Sequence, residues 1–120
     1  MSRILIADDS MFMRSTLKEI LVEGGHEVVG EAGTGVQVVE LFQELNPDIV
    51  TMDITMPEMS GIEALKKIIE LKPDAAVIML TSISKPDHAM EALKNGAKNY
   101  ITKPFDKEKV LKAIDAVTAS

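Results

Sequence analysis

Five polar side chains able to do chemistry follow short apolar runs of the sequence. Asp8 and Asp9 come after one such run, Asp53 after another, and Thr81 and Lys103 after two more. If these runs are parallel strands of one sheet, the side chains meet at its carboxyl edge, where open α/β sheets bind ligands. The pattern therefore predicts one pocket with three carboxylates, a hydroxyl and an amine.

The three carboxylates predict a cation site. Crowded acids repel one another, so either one of them holds a proton or a cation neutralises the group. Mg²⁺ is the simpler solution, since it prefers octahedral oxygen ligands and commonly takes one or two carboxylates with waters and phosphate oxygens. Asp9 and Asp53 could bind it directly, Asp8 through water, and a backbone carbonyl after Asp53 could add a ligand. Capping of a helix that begins after Ser10 is the alternative explanation of Asp8 and Asp9.

Asp53 also has the surroundings of a nucleophile. A carboxylate at the end of a buried strand can form an aspartyl phosphate. A metal offsets the phosphate charge, while the amine of Lys103 and the hydroxyl of Thr81 stabilise the remaining equatorial oxygens. In isolation, Lys103 is an ordinary solvated charge and Thr81 an ordinary strand residue. Their joint position at two strand ends favours the phosphoryl-transfer interpretation.

The elements that must position these residues alternate along the chain as five apolar runs and five amphipathic segments. The predicted strands are residues 3–8, 26–32, 48–53, 76–81 and 98–102. The predicted helices begin at Met11, at the Thr34, Ser60 and Ser84 capping boxes, and near Asp106. They end near Glu23, Asn46, Leu71, Asn95 and the end of the chain.

This order predicts an α/β fold, a flavodoxin-like (βα)5 doubly wound parallel sheet with strand order 2-1-3-4-5. Its switch point lies between strands one and three, which places Asp8, Asp9 and Asp53 around the expected ligand crevice. The 120 residues have room for one domain, residues 1–120.

Composition excludes several classes of function. The net charge of -6 disfavours a nucleic-acid surface, which needs Lys and Arg contacts to phosphates. The absence of cysteine rules out disulfides, thiolate ligands and cysteine nucleophiles. The apolar runs are too short to span a membrane, and the N-terminus lacks signal-peptide features, so we expect a cytoplasmic protein.

Five motifs carry a family resemblance: Asp8–Asp9, Asp53, Pro57 with Gly61, Thr81, and Lys103–Pro104. Together they resemble the receiver domain of two-component response regulators across the whole chain. The segment from Met52 to Gly61 is similar to that of the CheY-like chemotaxis regulators of some thermophilic bacteria and archaea. The resemblance implies a stand-alone, monomeric signalling protein rather than an enzyme with an external substrate.

The resemblance also implies roles for individual residues. Asp53 would accept a phosphoryl group from a CheA-like histidine kinase, and Thr81 and Lys103 would contact that group. The implied ligands of Mg²⁺ are Asp8, Asp9, Asp53 and the carbonyl of Thr55. The target would be a motor switch or adaptor protein, with no nucleic acid and no membrane insertion.

Signal output in this family depends on a switch pair, and Thr81 and Tyr100 occupy its two positions. The hydroxyl of the first moves toward the phosphoryl oxygen, and the aromatic ring of the second turns inward. A half-buried tyrosine on an edge strand is the alternative for Tyr100. Thr55 and Ile83 stand at the positions that tune dephosphorylation, and an apolar Ile83 gives hydrolysis little assistance.

Three other functions are compatible with parts of the pattern. A single-domain phosphorelay intermediate would use the same site. A haloacid-dehalogenase phosphatase needs an acid two residues after its nucleophile, where this chain has Thr55. A flavodoxin-like carrier needs a phosphate-binding loop after strand one and aromatic side chains that stack on the flavin. The acids after strand one and the 3% aromatic content of this chain disfavour it. Met11, Phe12 and Met13 are expected in the core, with a hydrophobic rim over the pocket as the alternative, and Met90 fits either core or surface.

Overall fold

The computed structural model describes residues 1–82 and 84–118 and alternates strands with helices, as predicted. The strands are β1 (Arg3–Ala7), β2 (Glu27–Ala32), β3 (Ile49–Asp53), β4 (Ala76–Ser82) and β5 (Asn99–Lys103). The helices are α1 (Met11–Glu23), α2 (Gly35–Leu45), α3 (Gly61–Leu71), α4 (Pro86–Lys94) and α5 (Lys107–Thr118).

All five strands form one parallel sheet in the order β2-β1-β3-β4-β5. The predicted fold class and strand order are therefore confirmed. The register pairs Ala7 with Met52 and Asp53 with Leu80. It also pairs Ser82 with Lys103. The strands thus end at one edge, and the polar residues that follow them gather there.

The central strands are buried on both faces, which explains why they are continuous apolar runs rather than alternating ones. Leu5 and Ala7 pack in a layer with residues of α2 and α3. Ile4 and Ile6, which point the other way along the same strand, pack with residues of α1 and α5. These two layers hold the sheet edge in a fixed position.

Side-chain caps start the helices nearest the site. Ser10 accepts a hydrogen bond from the Met13 amide at the start of α1, over 3.2 Å. Thr34 and Ser60 do the same at α2 and α3, as predicted from their capping boxes.

The third predicted capping box, at Ser84, is wrong. Helix α4 begins at Pro86 and Lys85 occupies the cap position, and no described side chain makes a capping hydrogen bond to the helix. Proline disfavours helical backbone at the residue before it, so Lys85 cannot be the first helical residue that a Ser84 cap requires. The Ser84 hydroxyl instead lies 2.8 Å from the hydroxyl of Ser82.

The predicted burial of Met11 and Phe12 at the start of α1 is also wrong, whereas Met13 is half-buried. Met11 is 74% and Phe12 76% exposed, because α1 turns the face with Leu17 and Leu21 toward the sheet. Met90 is exposed too. Ile83 lies outside the described residues. Among the described residues, no helix has the length and apolar character needed to cross a membrane.

Candidate functional site

Asp8 and Asp53 owe their positions to neighbouring strands of the sheet. Asp53 is the last residue of β3, and Asp8 follows β1, with its amide donating to the Ala32 carbonyl over 3.0 Å. Beyond Asp53 the chain turns back tightly, and the Gly61 amide donates to the Ile54 carbonyl over 2.6 Å. Both aspartates are therefore fixed by main-chain contacts rather than carried on free loops.

The three predicted acids form one cluster. Asp8, Asp9 and Asp53 each offer a carboxylate oxygen, and these atoms all lie within 4.8 Å of one another. Asp8 is buried, Asp53 half-buried and Asp9 exposed. One cation could contact all three carboxylates while keeping waters on its exposed side, which is how Mg²⁺ is commonly bound.

Lys103 joins the cluster from β5. Its Nζ donates to Oδ2 of Asp53 over 3.1 Å and lies 3.5 Å from Oδ2 of Asp8. Burial by itself lowers the pKa of Lys103. The hydrogen bond to Asp53 and the charges of Asp53 and Asp8 outweigh that effect, so the pKa lies above its ordinary value. Lys103 is therefore a permanent positive charge beside the acids.

The electrostatics of Asp8 show how unfavourable the bare cluster is. Burial raises the pKa of Asp8 above its usual value, and the charges of Asp53 and Asp9 raise it further. A hydrogen bond from the Ser10 amide and the charge of Lys103 offset only part of this increase. A second positive charge would relieve the repulsion among the carboxylates.

Two buried oxygens at the site have unused hydrogen-bonding capacity. In the part of the chain that the structure describes, Thr81 Oγ1 has no hydrogen-bond partner, and Asp8 Oδ2 has none beyond its 3.5 Å ion pair with Lys103. Buried polar atoms without a hydrogen bond are rare in folded proteins and commonly mark a site for a water, ion or ligand. The carboxylate oxygen suits a hard cation, and the hydroxyl suits an oxyanion, so the residues fit both Mg²⁺ and a phosphoryl group.

A cavity of about 260 Å³ opens beside Asp53. Its lining includes the predicted Thr55, Thr81 and Lys103, together with Ser82, Lys85 and His88. The structure therefore brings six predicted site residues to one place: Asp8, Asp9, Asp53, Thr55, Thr81 and Lys103.

Tyr100 is the predicted residue that lies apart from this group. It is on β5, three residues before Lys103, and is 41% exposed. It is not among the residues that line the cavity beside Asp53 and Thr81, whereas the expected switch turns its ring inward. The Lys103–Pro104 bond, whose isomer the sequence left open, is cis.

Sequence reasoning missed Arg14, which donates from Nη1 to the main-chain carbonyl of Asp8 over 2.5 Å. A signal was present, because Arg14 lies one turn into α1, where the helix dipole disfavours a cation. A basic residue there needs another partner. Sequence reasoning also missed Lys85 and His88 on the cavity wall, for which the sequence gives no comparable signal.

Comparison with known proteins identifies the family. A model described as the response regulator receiver domain matches residues 4–115. The chain belongs to the response regulator receiver family. Receiver domains are phosphoacceptor modules of signalling pathways rather than enzymes acting on external substrates, and they generally bind Mg²⁺ at an acidic pocket. The phosphatase and flavin-carrier alternatives are therefore set aside.

Relatives of this receiver domain are similar over nearly its whole length. It is 48% identical over 116 residues to the chemotaxis protein CheY of Thermotoga maritima, with 97% of each chain covered. It is 50% identical over 113 residues to the CheY of Bacillus subtilis, with 94% of each covered. A crystal structure of the CheX-CheY-BeF3-Mg²⁺ complex of Borrelia burgdorferi matches with a TM-score of 0.93 and 38% identity, covering 98% of this chain and 90% of that chain.

Proposed function

We propose that this chain is a chemotaxis response regulator in which Asp53 accepts a phosphoryl group from a CheA-like histidine kinase in the cytoplasm. Residues 1–120 would act as one receiver domain. The observation that carries the proposal is the cluster of three carboxylates within 4.8 Å, with Lys103 bonded to Asp53. The chemotaxis role is supported by the names of the relatives with about half their residues in common.

The proposed chemistry divides the work among the clustered residues. Asp53 attacks phosphorus, so that an O–P bond forms and the P–N bond to the donor histidine breaks, with the imidazole as leaving group. Asp8, Asp9, Asp53 and the Thr55 carbonyl would hold Mg²⁺. The metal, when bound, neutralises charge on the phosphoryl oxygens.

Lys103 and Thr81 would complete the phosphoryl site. The ammonium of Lys103 already touches Asp53, so it needs little movement to contact an oxygen of the incoming group. The buried hydroxyl of Thr81 has a hydrogen bond to give and lines the cavity beside Asp53. In this arrangement the protein assists its own phosphorylation by positioning and by electrostatic stabilisation.

The proposed output is a shift between two conformations. A phosphoryl group adds roughly -1.5 to -2 charges and three acceptor oxygens, which favour the conformation in which the Thr81 hydroxyl binds one of them. Tyr100 would then turn inward on the neighbouring strand, changing the surface formed by α4, β5 and α5. Met90 and Tyr100 are exposed on that surface, where a motor switch or adaptor protein would bind.

Intact mass spectrometry after incubation with Mg²⁺ and acetyl phosphate tests the phosphoacceptor. The wild type is expected to gain one phosphoryl group that hydroxylamine removes, and Asp53→Asn is expected to gain none. Asp48→Asn, an exposed aspartate at the opposite end of β3, is the matched control and should label like the wild type. Equal labelling of the Asp53 variant, or no labelling of the wild type, would contradict the proposal.

A further inference from the structure

Arg14, on α1, contacts both the residue that follows β1 and a residue of β2. Its guanidinium donates from Nη1 to the Asp8 carbonyl over 2.5 Å and from Nε to Oε1 of Glu31 on β2 over 3.2 Å. The side chain is 17% exposed, compared with 52% for Lys18, whose Nζ lies 3.7 Å from the same glutamate. Arg14 is therefore a packed, doubly held residue, whereas Lys18 is a loose surface charge.

The carbonyl that Arg14 holds belongs to the peptide bond between two of the clustered acids. A peptide unit is planar, so fixing the direction of the Asp8 carbonyl also fixes the direction in which the chain continues to Asp9. On the other side, Asp8 Oδ1 accepts from the Ser10 amide over 2.9 Å. The backbone around Asp9 is thus held on one side by Arg14, at the Asp8 carbonyl, and on the other by the Asp8 side chain, at the Ser10 amide.

This support matters most for Asp9, the exposed member of the cluster. Mg²⁺ requires near-ideal octahedral geometry, so carboxylates that approach it from a misplaced backbone bind it poorly. Outer contacts that orient metal ligands typically contribute 10- to 100-fold to metal affinity. We propose that Arg14 is a positioning residue that sets the Asp8–Asp9 backbone for divalent cation binding, an inference that rests on the proposed function.

The sign of the effect separates positioning from simple electrostatics. Arg14 is a cation near a site for a cation, so through charge alone its removal would strengthen Mg²⁺ binding. Loss of positioning has the opposite sign. We expect Arg14→Gln to raise the Kd for Mg²⁺ about 10-fold or more. Arg14→Lys keeps the charge but lacks the rigid fork that reaches both partners, so its Kd should fall between those of the wild type and Arg14→Gln.

The control is Lys18→Gln, which removes the same charge and a contact to the same glutamate. Among the described contacts, Lys18 has no hydrogen bond or ion pair with Asp8, so this variant leaves the Asp8 carbonyl held. Its Kd should equal that of the wild type or be slightly lower. Mg²⁺ titrations followed by the NMR shift of the Ser10 amide give the Kd of folded protein for each variant. Hydrogen exchange of that amide without metal gives a second readout, which should speed up in Arg14→Gln and not in Lys18→Gln.

The outcomes discriminate between the two proposals. If the wild type binds Mg²⁺ and Arg14→Gln binds it equally or more tightly, the positioning role is overturned and the phosphoacceptor role is untouched. If the wild type shows no Mg²⁺ binding, both proposals fail. A purely structural role for Arg14 would lower the Tm but leave the Kd of the folded protein unchanged, which also overturns the inference. If Arg14→Gln does not fold, the Kd of Arg14→Lys is the test, and a Kd equal to that of the wild type overturns the positioning role.

Discussion

The ammonium of Lys103 lies 3.1 Å from Oδ2 of Asp53, although the two residues are 50 positions apart in the chain. The contact exists because β3 and β5 both pair with β4 and end at the same edge of the sheet. It gives the acidic cluster a resident positive charge, which must share the site with any metal ion and any phosphoryl group.

Replacing this charge should therefore have opposite effects on the two ligands. In Lys103→Met we expect tighter Mg²⁺ binding, because a competing cation is gone. Phosphorylation by acetyl phosphate should slow roughly 100-fold, because one stabilising donor is lost. Mg²⁺ titration and labelling kinetics measure the two effects. Lys85→Met, which removes a lysine from the wall of the same cavity, is the control and should change labelling little. Unchanged labelling in Lys103→Met would show that Lys103 does not assist transfer.

Asp8 should make the stability of the metal-free protein depend on pH. Its pKa is raised in the folded state, so the folded protein binds this proton more tightly than the unfolded chain does. The free energy of unfolding therefore falls as pH rises from the ordinary aspartate value of 3.8 through the folded pKa. Asp8→Asn should be more stable than the wild type near neutral pH, and this advantage should shrink as the pH falls through that window.

Urea unfolding in the presence of a chelator, repeated across that pH range, measures the difference. Asp9→Asn is the matched control, since Asp9 is exposed and its charge is better solvated. Adding Mg²⁺ should reverse the order of the wild type and Asp8→Asn, because only the wild type keeps the full ligand set. An advantage of Asp8→Asn that persists unchanged into acid would contradict the assignment of the effect to this carboxylate.

Two buried threonines should respond alike to substitution in stability but differently in signalling. Thr51 and Thr81 are both buried, and neither hydroxyl has a hydrogen-bond partner among the described residues. Valine keeps the shape and removes the desolvated hydroxyl, so each Thr→Val variant should gain about 1 kcal/mol of unfolding free energy. Urea unfolding measures the gain. Only Thr81→Val should lose the response to phosphorylation, because Thr51 lies inside the sheet away from the cavity.

Gly61 should be irreplaceable for a steric reason. A Cβ added there would overlap the carbonyl oxygen of Asp53, which is main chain and cannot move aside cheaply. We expect Gly61→Ala to lose about 3 kcal/mol of stability and to label poorly, because relief of the overlap displaces Asp53. Thermal unfolding and acetyl phosphate labelling test both effects. At Gly33 an added Cβ meets only ordinary contacts, so Gly33→Ala is the control and should retain both properties.

Much of this fold was predictable because its local signals agree with one another. Doubly buried strands leave continuous apolar runs, and serine or threonine caps mark where α2 and α3 begin. The start of α4 was misjudged because two signals conflict there. Ser84 looks like a cap, but Pro86 prevents the backbone that such a cap needs.

The acidic cluster was predictable for a topological reason, since parallel strands deliver their final side chains to one edge. The contacts that support it were only partly predictable. The place of Arg14 near the start of α1 signals that it needs a partner, but a sequence does not show that this partner is the main-chain carbonyl of Asp8. The exposure of Met11 and Phe12 was missed because a run of three apolar residues does not reveal which helix face meets the sheet.

Tyr100 also makes this protein its own optical reporter. The chain has one tyrosine and no tryptophan, so its intrinsic ultraviolet fluorescence comes from a single ring on the strand that also carries Lys103. Tyr100 is 41% exposed, and burying its ring would change its emission and its quenching by dissolved iodide. Any coupling between the acidic cluster and the surface of β5 can therefore be followed in real time in the unlabelled wild type.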